Sequence, residues 1–302
     1  MKRALIYGIL GSLFFAFTFV FNRSMNISGG YWLWSACLRY IFTLPIMLAL
    51  VAKRGNISAV HNAIRQSPMG WLLWSTVGFG LFYGPLTMSS VYGESWFISA
   101  TWQITIVCGI LCTPLFGKSI PIKGLLWSVV ILAGIALLQT THLSEESAVT
   151  AGEMMTALGL IILAAFSYPL GNRKMMAICP PEVDSISRVY GMTLCSMPFW
   201  LVLSGYALTV TGIPSQGQIV QSFIVALFSG VVATVLFFAA TDMVRHDPKQ
   251  LAVIEATQSG EVIFTLIGGV LFLGDPMPTM GGLLGIAVIV IGMIGNSLSS
   301  AN

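Results

Sequence analysis

Residues 117–135 read GKSIPIKGLLWSVVILAGI, and residues 274–293 read GDPMPTMGGLLGIAVIVIGM. Both carry Gly-x-x-x-Pro and then Gly-Leu-Leu-x-x-x-Val-Ile-x-x-Gly. Gly124, Leu125, Leu126, Val130, Ile131 and Gly134 thus correspond to Gly282, Leu283, Leu284, Val288, Ile289 and Gly292. Gly124 and Gly282 stand 158 positions apart in a 302-residue chain. Similarity recurring at half the chain length is the mark of an internal duplication. Gly134 and Gly292 suit close helix packing rather than chemistry.

The rest of the composition says where such helices belong. The chain is 56% hydrophobic and 8% charged, with a mean hydropathy of +0.87. A soluble domain carries about 25% charge, so the composition is that of a polytopic membrane protein. The net charge of +3 is far from a nucleic-acid-binding balance. The five cysteines include Cys108 and Cys112 one turn apart, a spacing that seldom forms a disulfide. With no zinc-type Cys/His spacing either, all five are expected to be buried, inert thiols. No cofactor or metal is expected.

Apolar runs fall at roughly 4–22, 31–52, 69–91, 95–116, 122–140, 154–171, 185–209, 219–241, 251–273 and 279–298. A helix needs about 20 residues to cross the hydrocarbon, so ten spans are expected. The first run follows Lys2 and Arg3 as in a signal peptide, but it lacks a small-x-small cleavage site and is read as a retained helix. The segments 53–68, 141–153 and 210–218 are expected to be short polar loops. With the N-terminus inside, the inner segments hold Lys2, Arg3, Lys53, Arg54, Arg65, Lys118, Lys123, Arg173, Lys174, Arg245 and Lys249. The outer ones hold Arg23 with the acidic Glu145, Glu146 and Glu153. That bias places both termini in the cytoplasm and the chain in the cell membrane.

Five spans per half is an odd number, so the second half must enter from the opposite side. The expected fold is an all-α membrane protein of ten transmembrane helices in two inverted five-helix repeats, 1–145 and 146–302, within one membrane domain. Such repeats are a mark of secondary transporters. Other matches keep the same order. Ala16-Phe17-Thr18-Phe19 with Asn22-Arg23 corresponds to Ala165-Phe166-Ser167-Tyr168 with Asn172-Arg173. Arg39 corresponds to Arg188, and Ile98-x-Ala100-Thr101 to Ile254-x-Ala256-Thr257.

Taken together, the five-plus-five spans, a basic residue in spans two and seven, and the Gly-x-x-x-Pro turn before spans five and ten resemble the drug/metabolite transporter superfamily. The nearest likeness is to its ten-span EamA-type exporters. The opening stretch GSLFFAFTFVFNRSMNISGGYWLWSACLRY is similar to a subgroup of multidrug resistance efflux transporters. The resemblance implies a central cavity lined by spans one, three, four, six, eight and nine, with spans five and ten outside it. It also implies a small-molecule substrate, a drug, organic cation or metabolite such as an amino acid.

Charge within a bilayer is costly and marks function. Glu255 and Glu261 lie in span nine, Arg39 in span two and Arg188 in span seven. Glu261 sits near the midplane beside Gln258, Ser259 and Gly260, and the matched span-four residues are the uncharged Ser99 and Thr105. A carboxylate in a low dielectric is costly to ionise. Glu261 could therefore load and release a proton as the cavity alternates, with a cationic substrate competing for the same site. The alternative is a permanent ion pair with Arg39 or Arg188. Both arginines also suit structural roles at helix ends, as do Asn22 and Asn172. Candidate cavity aromatics are Trp102, Tyr83, Phe17 and Tyr168, through cation–π contact. Phe14, Phe17 and Phe21 form a stripe on span one. Pro45, Pro85, Pro169 and Pro198 lie inside spans, where they can kink helices. Glu94 and Asp242 are expected at the membrane surface, Asp242 paired with Arg245.

The chain lacks a phosphate-binding Gly-x-x-x-x-Gly-Lys-Ser/Thr loop. His61, His142 and His246 are expected in loops, which disfavours an intramembrane enzyme. A secondary active exporter exchanging solute for protons, acting as a monomer in the bilayer, is the leading reading. An uncoupled facilitative carrier is the alternative.

Overall fold

The computed structural model describes residues 1–117, 119–144, 150–244 and 246–299, which form helices and no strand. In chain order the helices are α1 (Lys2–Ile27), α2 (Trp32–Lys53), α3 (Ile57–Gln66), α4 (68–89), α5 (Ser95–Leu111), α6 (Ile122–Ser144), α7 (Ala151–Ile178), α8 (Ser185–Thr211), α9 (Gln216–Asp242), α10 (Lys249–Leu273) and α11 (Met280–Ser299). Eight of these, all but α3, α4 and α5, are long and apolar enough to cross a membrane. Lys118, Glu145, Glu146 and Arg245 lie outside the described residues, as does the expected boundary between the halves.

Polar side chains fix the helix starts. Thr150 Oγ1 accepts from the Glu153 N–H and the Glu153 carboxylate accepts from the Thr150 N–H, a capping box opening α7. Asp184 and Ser215 cap α8 and α9 in the same sense. Pro45, Pro85, Pro169 and Pro198 all lie within helices. Segment 53–68 is not the short polar loop expected: it holds α3. Ile57, Val60 and Ile64 recur at helical spacing, and Val60 and Ala63 are buried where α3 packs on α8.

The packing is patterned. α2 lies on α8, and α6 on α11. α1 packs on α9 and α10, while α7 packs on α4 and α5. Glycine permits the tightest of these contacts. A Cβ at Gly134 would lie 2.8 Å from the Ile289 nitrogen and 2.9 Å from the Gly285 oxygen, and one at Gly292 would lie 2.6 Å from Ile131. The duplicated glycines are thus the contact surface between α6 and α11.

One end of the bundle is tied shut. Asp275, in the turn between α10 and α11, is buried. Its Oδ2 accepts from the Ser95 N–H at 3.0 Å and from the Ser95 hydroxyl at 2.7 Å. The Arg23 Nε lies 3.8 Å from Oδ1, and Trp96 Nε1 donates to the Pro276 carbonyl at 3.1 Å. Beside them, Glu94 Oε2 and His142 Nε2 are 3.0 Å apart, and the imidazole lies against Trp96 and Phe97. Two expectations are corrected here. Glu94 is buried rather than at the surface, and His142 belongs to α6, because a carboxylate and an imidazole satisfy each other away from water. His61 belongs to α3, with its Nε2 3.4 Å from the Tyr190 hydroxyl, and His246 lies in a turn. Asp242 is exposed, at the end of α9. The cysteines are free, but only Cys37, Cys108 and Cys112 are buried; Cys179 and Cys195 are partly exposed.

Gly134→Val should destabilise the α6–α11 contact by about 1–3 kcal/mol through overpacking, read as a lower unfolding temperature in detergent. Gly159→Ala, where an added Cβ meets nothing within 4 Å, should leave that temperature unchanged or raised. Asp275→Ala should cost about 2–3 kcal/mol, because the Ser95 N–H and hydroxyl lose a buried acceptor. Unfolding indistinguishable from wild type would mean that the clasp contributes nothing.

Candidate functional site: a polar chamber between the helices

Four helices depart from α geometry beside one chamber; α10 also widens at Gly269–Leu273, away from it. α4 widens at Thr76–Gly80 and α9 at Ala226–Ala233, each making i→i+5 turns. α5 tightens at Gln103, whose N–H reaches back only three residues to the Ala100 carbonyl, and α10 tightens at Thr257–Ser259. Wide and tight turns inside long helices often mark functional positions because they re-aim side chains and free backbone groups. Here they bring Phe79, Gln103, Ser229, Gly230 and Gln258 to the chamber wall.

The chamber has a volume of ≈ 260 Å³. Its walls come from α1 (Phe15, Thr18, Phe19), α4 (Phe79, Phe82, Leu86), α5 (Trp102, Gln103, Thr105, Ile106), α7 (Tyr168, Asn172), α9 (Ser229, Gly230, Thr234, Phe237, Phe238) and α10 (Gln258, Glu261). Those helices occupy the six segments of the chain that the resemblance implied. α2 adds Arg39, Tyr40 and Thr43, and α8 adds Val189 and Thr193, which the resemblance did not anticipate. α6 and α11 do not reach this chamber.

A second lobe of ≈ 1170 Å³ continues from it, sharing Thr105, Ile106, Tyr168, Phe237 and Gln258. This lobe reaches the first turn of α6 at Lys123 and the last turns of α11 at Asn296 and Ser299. At the same end, Ala4 of α1 packs with Ala240, Val244 and Ile254. The chamber therefore opens toward the end that carries both termini and is closed at the Asp275 end.

Arg39 is held without a carboxylate. Its guanidinium donates to Thr18 Oγ1 and to Ser229 Oγ, each at 3.2 Å, and lies 4.0 Å above the Tyr83 ring. The two hydroxyls are 2.5 Å apart, so one donates to the other. Tyr83 is fully buried and exchanges hydrogen bonds with Asn22 at 3.1 and 3.2 Å. Tyr83 thus supports Arg39 and is absent from the chamber wall. The Glu261 carboxylate makes no hydrogen bond or ion pair with the described residues, although it lines the same chamber as Arg39. An Arg39–Glu261 ion pair, one of the alternatives above, is not formed.

The other candidates separate clearly. Gln258 lines both lobes, and Glu255 lines only the open one, with Lys123 and Arg173. Arg173 donates to the Gly109 carbonyl at 2.7 Å. Trp102 and Tyr168 face the chamber around Phe82, at ring distances of 5.2 and 4.8 Å. Phe17 does not; it clusters with Phe14, Phe21 and Phe228 away from the wall. Arg188, in the first turn of α8, lies outside both lobes. Asn172 donates to the Tyr168 carbonyl at the chamber wall. Sequence reasoning missed Thr18 and Ser229, although lone hydroxyls in mid-span apolar runs were a visible signal.

The comparisons with known proteins agree along the whole length. The family model EmrE, described as "Putative multidrug resistance efflux transporter", matches residues 2–302. The "Uncharacterized protein YjlA" of Bacillus subtilis (strain 168) is 46% identical over 312 residues, covering 99% of this chain and 95% of its own. An "Uncharacterized 42.1 kDa protein in intracellular alkaline protease 3'region" of Shouchella clausii is 42% identical over 283 residues, 90% of this chain and 74% of its own. One crystal structure shares the fold at 14% identity, with a TM-score of 0.56 over 98% of this chain and 96% of that one. A bundle of membrane-length apolar helices around a polar chamber, matched from end to end by that family model, belongs to the EmrE-type multidrug resistance efflux transporter family of the drug/metabolite transporter superfamily and is a multi-pass membrane protein.

Proposed function

We propose that this chain is a secondary active transporter. It exports a small organic solute through the central chamber by alternating access, in exchange for protons. The observation that carries the reading is Glu261, a carboxylate that makes no hydrogen bond or ion pair with the described residues and lies on the wall of the central chamber. A charge kept there costs stability unless a mobile ligand uses it. Proton and substrate compete for the carboxylate, and that competition couples one flux to the other.

Alternation follows from reading α4 and α5 as two further spans, which makes ten, arranged as two inverted halves. Three features support the halves. The pairings of α1 with α9 and α10 correspond to those of α7 with α4 and α5. Wide turns fall in α4 and in α9, each the third long helix of its half when the short α3 is set aside. Gly117 and Gly274, both at φ +69, end the segments before α6 and α11. The basic residues Lys53, Arg54, Lys123, Arg173 and Lys174 gather at the open end, which favours a cell-membrane protein with both termini in the cytoplasm. The state described is then open to the cytoplasm, and export requires the Asp275 clasp to part.

Reconstituted in liposomes, the wild type should expel a loaded solute faster when the outer medium is acidified. Glu261→Gln should abolish that acceleration while retaining the wild-type elution profile. Efflux independent of the gradient in the wild type would favour an uncoupled carrier. In intact cells, a membrane-impermeant maleimide should modify Ile213→Cys, in the exposed turn after α8, and leave Lys2→Cys untouched, each on a cysteine-free background. The reverse pattern would place the termini outside.

A further inference from the structure

We infer that Glu255 and Arg173 form the ion pair that seals the large lobe when the Asp275 end opens; this rests on the alternating-access reading above. The register of the two halves is the first observation. At the closed end, Arg23 of α1, Ser95 at the start of α5 and Asp275 in the turn before α11 meet in one clasp. The matched positions are Arg173 on α7, Leu251 at the start of α10 and Lys118 in the segment before α6. At the open end, the corresponding elements stand apart around the ≈ 1170 Å³ lobe, which Arg173, Glu255 and the 119–121 turn all line. A copy of the Asp275 clasp cannot form there. Lys118 stands in the sequence where Asp275 does, and Leu251 has neither the hydroxyl nor the charge to replace Ser95. The carboxylate is supplied instead from α10: Glu255 follows Leu251 by one turn, on the same helix face, where α5 has Ser99.

The second observation is how these charges are held. The Glu255 carboxylate makes no hydrogen bond or ion pair with the described residues. Arg173 is anchored through Nη1 alone, which donates to the Gly109 carbonyl at 2.7 Å and lies 3.5 Å from Thr113 Oγ1. Its Nε and Nη2 engage no acceptor among the described residues, and Nε is the atom through which Arg23 meets Asp275. A guanidinium fixed on one side and free on the other is ready for a carboxylate. While the lobe is wide, water can solvate both groups. Closure strips that water, and a charge left unpaired then opposes closure. Pairing Glu255 with Arg173 removes the opposition and ties α10 to α7. Lys123, the third charge on the described lobe wall, is exposed in the first turn of α6 and keeps its water.

The test uses the full chain in lipid nanodiscs on a cysteine-free background, read by pulsed electron paramagnetic resonance. Spin labels on Ser119→Cys and Lys249→Cys span the lobe, and labels on Val91→Cys and Met277→Cys span the clasped end; all four positions are exposed. Asp275→Asn removes the charge from the clasp. It should raise a population in which the lobe labels are closer and the clasp labels farther apart. Glu255→Gln or Arg173→Gln, added to Asp275→Asn, should shrink that population about 5-fold, and both together should shrink it no further, because paired residues lose one shared interaction. Two unrelated structural faults would multiply instead. Full retention of the population in either single variant, or multiplied losses in the double one, would overturn the pair and leave alternation standing. Loss on Lys123→Gln with retention on Arg173→Gln would overturn it too, by giving the carboxylate to α6. If neither distance moves even with the clasp weakened, the alternating-access reading falls and the pair falls with it.

Discussion

A guanidinium that is always charged stands in the middle of this bundle, and much of the architecture follows from keeping it there. Arg39 cannot neutralise itself by losing a proton, so its surroundings must compensate the charge. Thr18 comes from α1, Ser229 from α9, and the Tyr83 face from α4. Each contact draws a different helix toward α2, and the reciprocal Asn22–Tyr83 bonds tie α1 to α4 directly. The wide turn at Ala226–Ala233 is part of the same solution, since Ser229 sits within it and is aimed at Arg39. None of these partners is acidic. The charge is solvated by dipoles rather than cancelled, which leaves it available to something that enters.

The difference between the two ends has a similarly local cause. The free N–H groups that begin a helix need acceptors. α5 takes its acceptor from afar: the Asp275 carboxylate, in the turn between α10 and α11, binds the Ser95 N–H and hydroxyl. Gly269 makes room for this, because a Cβ there would meet both partners within 2.6 Å. α10 takes its acceptor from next door, as Asp247 accepts from the N–H groups of Lys249 and Gln250. A remote cap closes one end by tying two helices together. A self-contained cap joins α10 to no other helix at the other end, where the large lobe opens past Glu255 and Lys123.

Helix positions were legible because an apolar run of membrane length has few other folds open to it. That Gly134 and Gly292 serve close packing could be read from the sequence, since small residues in such runs let backbones approach; that the two helices pack on each other could not. The facing of individual side chains was less legible. Phe17 lies on a regular aromatic stripe, yet it packs with Phe228, while its neighbours Phe15, Thr18 and Phe19 face the chamber. Helical spacing gives a stripe but not its direction. The wide and tight turns in α4, α5, α9 and α10 also shift the facing of every later residue, and no propensity marks them. Glu94 and His142 were misread for a simpler reason. They stand 48 positions apart and only the fold brings them together.

The register of the duplicated segments sharpens what the chamber is built to hold. Where α10 presents Gln258 and Glu261, α5 presents Trp102 and Thr105 at the corresponding positions, and all four line the chamber. A symmetric ancestor of two equal halves would line a chamber with equal walls. This one has a carboxylate and an amide on α10, at Glu261 and Gln258, where α5 has Thr105 and Trp102, and Arg39 has no counterpart there because Arg188 lies outside both lobes. Divergence at these positions gives the two sides of the chamber different chemistry. A molecule with distinct charged and apolar ends therefore meets different partners on α10 and on α5, and the two walls favour one orientation over its reverse.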